Sequence, residues 1–263
     1  GYSGEEMSNV PEGANLGLGC GNPQAIAALG EEGLMDYIQT IGEGIDPEVM
    51  LFWTGPTVCS ASITSADARL VEKWLKRKPF IWDNYPVNDM YPWRPLMSPL
   101  KNRSADLAAS VSGYIANPMK QLHISEIVLA TTAAYLNDPV RYDPAKAMEA
   151  AIASYPADHQ QAIRLLVEFY GHSFWGEEGF PPRPDKHTPE QAAKMVQKHR
   201  ALRHMLSKNA SLAALSEEVR RTLDEDITAL DRLARRGNRP NPLLADGLEF
   251  SGGAADLYGN YKE

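Results

Sequence analysis

From residue 34 onward the apolar positions switch between two spacings. Over 34–41, 64–77 and 105–111 they recur at the helical period, and three short runs rich in β-branched and aromatic residues lie at 49–53, 79–83 and 113–116. Each of these runs empties into hydrogen-bonding residues beside a chain breaker. Met50-Leu51-Phe52-Trp53 leads into Thr54-Gly55-Pro56, Phe80-Ile81-Trp82 into Asp83-Asn84-Tyr85-Pro86, and Gly113-Tyr114-Ile115-Ala116 into Asn117-Pro118. Thr64 followed by Asp67 supplies a cap hydroxyl and a first-turn carboxylate for the helix between the first two runs. Strands alternating with helices predict right-handed βα units with the strands laid parallel, so the three polar ends converge on one rim.

After Lys120 the strand signals largely stop. Amphipathic helices are predicted over 121–136, 144–154, 158–170, 189–207 and 211–235, with Leu202, Met205, Leu206, Leu212 and Leu215 near helical spacing. Pro181-Pro182-Arg183-Pro184 separates two helical pairs. The predicted class is α/β followed by all-α. Its segments are 1–33, a loop with a helix start at Pro23; 34–136, the βα region; 137–236, a helical bundle; and 237–263, an irregular tail.

Composition narrows the function. The chain has 263 residues and 43% hydrophobic content, enough for a packed core. A net charge of −8 disfavours nucleic acid as a partner, and Arg232, Arg235, Arg236 and Arg239 read as a solvated helix end. No apolar stretch reaches the ~18–20 residues that cross a bilayer, so no membrane is expected. With no basic-then-apolar leader in view the expected location is cytoplasmic, although a chain starting at Gly1 reads as processed or as a fragment. Cys20 and Cys59 cannot build a disulfide framework or a zinc site, the six histidines show no ligand spacing, and no metal or cofactor is expected. Gly17, Gly19 and Gly21 are mis-spaced for a dinucleotide loop. The acidic groups Glu177-Glu178 and Asp224-Glu225-Asp226 read as solvated surface, and Asn102-Arg103-Ser104 and Asn209-Ala210-Ser211 as chance sequons.

The strings Phe52-Trp53-Thr54-Gly55-Pro56, WDNYPVND over 82–89 and ANPM over 116–119, in that order, resemble the β-N-acetylglucosaminidases of glycoside hydrolase family 84, which include O-GlcNAcase and bacterial hyaluronidase-like enzymes. The resemblance implies the last three βα units of a (β/α)8 TIM-type barrel, incomplete here, followed by a helical bundle. In that family the sugar's own 2-acetamido oxygen attacks the anomeric carbon, while two adjacent aspartates hold the acetamide and protonate the leaving oxygen. Carried over by motif, Asp89 and Asn117 look like contacts to the far-side sugar hydroxyls and Asn84 like a contact near the acetamide. Trp82 looks like a wall of the acetamide pocket, and Thr54 like a further lining residue. The chemistry agrees, since a carboxylate accepts from two hydroxyls and an amide both donates and accepts. Tyr85, Tyr91 and Trp93 are candidates for apolar contact with a sugar face. Each residue also has a plainer role open to it. Trp53 and Trp82 could be core aromatics, Asn84 a turn former, Asp89 a cap or loop acid, and Asn117 the shaper of a bend before Pro118.

The sequence contains no Asp-Asp pair. It opens instead on NLGLGCGNP over 15–23, which resembles the entry segment of bacterial arsenite methyltransferases; that likeness makes Cys20 an arsenic-binding thiolate, against a small loop residue as the alternative. The expected protein therefore binds an N-acetylglucosamine-containing glycan or glycoprotein without hydrolysing it unaided. A non-catalytic helical interaction protein is the second reading and a methyltransferase remnant the last. Three strands of eight leave unpaired edges and uncovered apolar faces, which favours self-association.

Overall fold

A computed structural model of the chain describes residue 33 and residues 36–89, 92–171 and 187–236. Helix α1 covers 36–44. Three parallel strands follow, β1 (Phe52–Trp53), β2 (Phe80–Asp83) and β3 (Gly113–Ala116), in the order β1-β2-β3, with helix α2 (Ser65–Leu75) between the first two. Register sets Trp53 beside Ile81 and Ile81 beside Tyr114, while Phe52 faces Phe80 and Trp82 faces Ile115. Because side chains alternate along a strand, this sorts the residues onto two faces.

One face is core. Trp53 and Ile81 pack with Val71, Trp74 and Leu75 of α2 and with Ile63 and Leu107. On the other face Phe52 is 55% exposed, Trp82 39% and Ile115 44%. Phe52 meets Phe80 and Trp82 edge to face at centroid distances of 5.0 and 5.8 Å. Gly113 is required opposite Phe80, since a Cβ there would lie 2.3 Å from the ring. A parallel sheet is ordinarily covered on both sides; among the described residues only one side is.

The predicted strand over 49–53 shortens to two residues: Val49 spends its N–H on the Asp46 carbonyl at 3.0 Å and its own carbonyl on Arg77, so neither pairs with a neighbouring strand. The Arg77 guanidinium donates to the oxygens of Gly42, Ile45, Asp46 and Val49 at 2.6–3.0 Å, which fastens the end of α1 and the turn after it to the end of α2. The predicted helix over 105–111 is a single 3-10 turn, Leu107–Ala109. Its flanks are occupied elsewhere: Ser65 N donates to Ser104 Oγ at 2.9 Å and Ser65 Oγ donates to Asp106. The Thr64 and Asp67 capping box forms as predicted at the start of α2.

Helices α3 (Leu122–Asn137), α4 (Pro144–Ala153), α5 (Ala157–Tyr170), α6 (Pro189–Lys208) and α7 (Ala213–Arg236) fall within two residues of their predicted limits. Asp143 and Thr188 cap α4 and α6, each with proline in the first turn. The large core takes Leu96, Met97, Leu100, Ile124 and Ile127 from before residue 136 and Ile163, Leu166, Leu202 and Leu223 from after it. Asp226, expected at the surface with its acidic neighbours, is instead 6% exposed, because Arg94 enters the bundle to pair with it at 3.0 Å. Residues 1–32, with Cys20 and the methyltransferase-like string, lie outside the described residues, as do Tyr91, Glu177-Glu178, Pro181–Pro184 and the tail from 237.

Candidate functional site

The carboxyl ends of the three strands come together on one edge of the sheet. Parallel pairing puts Thr54, Asn84 and Asn117 each just beyond its strand, the place where α/β sheets present their sites. Asn84 is the hub. Its Oδ1 accepts from Trp82 Nε1 at 2.9 Å and from Asn117 Nδ2 at 3.0 Å, and its Nδ2 donates to the Val58 carbonyl at 2.6 Å. One amide thus fastens the loop after β1, the indole on β2 and the amide after β3 into a bracket. The indole is pinned at its N–H while its ring stays open on the uncovered face. Asn117 is held a second time by its backbone N–H, which donates to the Asp83 carbonyl at 2.8 Å. Each amide also has a second N–H donor with which to meet a ligand.

Thr54 lies on the same edge, with its hydroxyl turned to the Thr57 carbonyl at 3.1 Å in a tight turn. Gly55 shapes that turn at φ +94°, where a Cβ would meet Ser60 Oγ at 2.3 Å. Asp89 is exposed. Burial pushes the Cys59 thiol up to about 11, with Asp89 and then Asp83 adding repulsion of the thiolate.

Under the rim sits a buried network that motif reasoning passed over. Asp83 is wholly buried and takes both arms of the Arg103 guanidinium, Nε and Nη2, each at 2.7 Å. It also accepts from the Tyr114 hydroxyl. Arg103 donates further to the Ser60, Ala61 and Lys101 carbonyls at 3.0–3.3 Å, so it ties the β1 loop to the end of β2. Burial lowers the basicity of Arg103, yet its bonds and attraction to Asp83 hold its pKa above the ordinary value. Burial and the Asp83 charge push Tyr114 well up, so its phenol stays a donor. The signal was available in the alternation: Asp83 stands two residues after buried Ile81 on the core face, where an acid needs a partner.

Two of the proposed aromatic platforms point away from the rim. Tyr85 is buried in the large core with its hydroxyl on the Ser98 carbonyl at 2.8 Å, and Trp93 is buried with Arg221 stacked 4.3 Å over its ring. Trp53 is core as well, which leaves Trp82 as the exposed tryptophan of the strand ends. Among the described residues no group of three or more His, Cys, Asp or Glu is placed to hold a metal ion, and no helix is long and apolar enough to cross a membrane.

Several known proteins are similar to this chain. Protein O-GlcNAcase of Rattus norvegicus is 34% identical over 99 residues, 38% of this chain and 11% of that protein, and Protein O-GlcNAcase of Mus musculus matches by the same figures. An O-GlcNAc hydrolase structure from Thermobaculum terrenum matches with a TM-score of 0.64 at 25% identity, covering 85% of this chain and 50% of that one. The structure of CpGH84B shares the fold at a TM-score of 0.61 and 22% identity, over 85% of this chain and 42% of that one. The chain thus spans half or less of each of these relatives. A family model described as beta-N-acetylglucosaminidase matches residues 28–168, more than half of the 263 residues and inclusive of all three strand ends. By that match the chain belongs to the β-N-acetylglucosaminidase family.

Proposed function

We propose that this chain carries the sugar-holding side of a β-N-acetylglucosaminidase site, built on the last three βα units of a (β/α)8 barrel. Its ligand is the N-acetylglucosamine residue of a glycan or glycoprotein. The observation that carries the reading is the Trp82–Asn84–Asn117 bracket on the carboxyl edge of three parallel strands. It offers a fixed indole wall beside two directional amides, which suits an acetamido sugar that presents one methyl group and several hydroxyls. Asp89 accepts from two sugar hydroxyls and Asn117 reaches another, while Asn84 and Trp82 border the acetamide and Thr54 lines the floor. The uncovered apolar face of Phe52, Trp82 and Ile115 is the face such a barrel turns inward, which supports a partial barrel.

Because the sequence has no paired aspartates, the chain alone binds without cleaving. Acid assistance contributes roughly a hundredfold or more, and the acetamide also loses its orienting partner. Calorimetric titration of N-acetylglucosamine tests the reading. Wild-type chain should bind, and Asp89→Ala should weaken binding by about tenfold or more through lost charged hydrogen bonds. Binding that is indifferent to Asp89, or turnover of an aryl β-N-acetylglucosaminide by pure chain, would overturn it.

A further inference from the structure

Helix α7 crosses the chain far from the sheet in sequence, yet it holds the loop that bears Asp89. The chain of contacts begins at Asn88, buried beside exposed Asp89. Asn88 Nδ2 donates to the Arg94 carbonyl and to Gln121 Oε1, both at 2.8 Å, and its Oδ1 accepts from Lys120 N at 3.2 Å. Gln121 Nε2 closes the ring of bonds on the Pro92 carbonyl at 2.8 Å. The far side of that loop is gripped by α7. Thr222 Oγ1 donates to the Trp93 carbonyl, and Arg221 lies over the Trp93 ring. Asp226 takes the Arg94 guanidinium at 3.0 and 3.1 Å and the Tyr170 hydroxyl at 3.1 Å. Thr222 and Asp226 are four apart and therefore share one face of the helix.

We propose that Thr222 and Asp226 are positioning residues for the sugar site, setting Asp89 through Arg94 and Asn88; this rests on the reading that Asp89 contacts sugar. A buried ion pair is a poor device for stability alone, since apolar residues of similar volume fill such space as well or better. What the pair supplies is direction. A guanidinium forked onto a fixed carboxylate gives the Arg94 backbone one place to be, and the Arg94 carbonyl in turn fixes the amide of Asn88. The helical region so acts on the site without touching ligand.

The test uses the full chain, with Asp226→Asn, the milder Thr222→Val, and Val196→Ala as a control that loosens the α6–α7 contact away from the loop. Hydrogen exchange of the peptide over 87–96 and titration with N-acetylglucosamine are measured on each. Asp226→Asn and Thr222→Val should speed exchange in that peptide selectively, by roughly tenfold for the former, and weaken sugar binding by about tenfold and threefold. Val196→Ala should lower global stability while leaving both readings as in wild type. The proposal fails if the loop exchanges at the wild-type rate in Asp226→Asn and Thr222→Val, or if Val196→Ala speeds it as much. If Asp226→Asn does not fold, Thr222→Val decides. Should wild type bind no sugar while loop exchange responds as described, the sugar reading falls and the positioning of the loop stands.

Discussion

Replacing Asp83 with asparagine changes one oxygen for one NH2 and should cost the fold dearly. The carboxylate is wholly buried, and the Arg103 side chain opposite it is 4% exposed. In the wild type the charge of Arg103 is met by two bonds of 2.7 Å, and its other donors go to neutral carbonyls. An asparagine keeps one acceptor but turns an N–H group on the guanidinium or on the Tyr114 hydroxyl, leaving a buried cation without its counter-charge. Breaking one side of a buried pair costs about 3–5 kcal/mol. At about 2–4 °C per kcal/mol for a chain of this size, Tm should fall by roughly 6–20 °C. Urea unfolding followed by tryptophan emission measures the loss, with the slope expected unchanged. Asp83→Leu combined with Arg103→Met should be milder than either alone, because no uncompensated charge remains. A loss below about 1 kcal/mol for Asp83→Asn would refute the argument.

Gly55→Ala places a Cβ on a backbone at φ +94° and against Ser60, so a loss of about 1–3 kcal/mol is expected in the same urea assay; unaltered stability would mean the turn relaxes freely. His199, stacked 3.9 Å from Phe169 with Nδ1 at 2.8 Å from the Met195 carbonyl, has its pKa lowered chiefly by burial. The unfolded state therefore takes up the proton first: the stability His199 contributes is present above the unfolded value near 6.5 and is lost as pH falls through the lower folded value. Tm measured between about pH 5.5 and 7.5 should drop on the acid side in wild type and less so in His199→Phe, and parallel curves would exclude the histidine as the cause. The Cys59 thiol, raised to about 11, should resist iodoacetamide at neutral pH and react faster in Asp89→Asn; mass spectrometry of the labelled peptide reads both rates, and labelling indifferent to Asp89 would mean the two groups are not coupled.

The strand-and-helix order was legible because apolar spacing carries it. β3 matches its predicted run residue for residue, and α4 and α6 begin on Asp143-Pro144 and Thr188-Pro189, start signals visible in the chain. What local pattern could not carry was long-range pairing. Arg77 takes the Val49 carbonyl from 28 positions away, and Arg94 pairs with Asp226 across 132 residues. Neither partner is marked by its neighbours in sequence. The rim was legible in part. Thr54, Asn84 and Asn117 follow from parallel strands ending on one edge, whereas the inward turn of Tyr85 and Trp93 depends on how the loop after β2 packs under the bundle. Asp83 belongs to no polar loop after the strand; its mark in the sequence is the alternation alone, which sets it on the core face two residues after Ile81.

The central claim is that the bracket of Trp82, Asn84 and Asn117 receives the sugar, and the most direct measurement is a 1H–15N NMR titration of the chain with N-acetylglucosamine. The account predicts saturable shifts of the Trp82 indole N–H and of the Asn84 and Asn117 side-chain amides, abolished in Asn84→Ala, which removes the hub all three share. Saturation with no movement of these signals, or shifts confined to the helices, would contradict it.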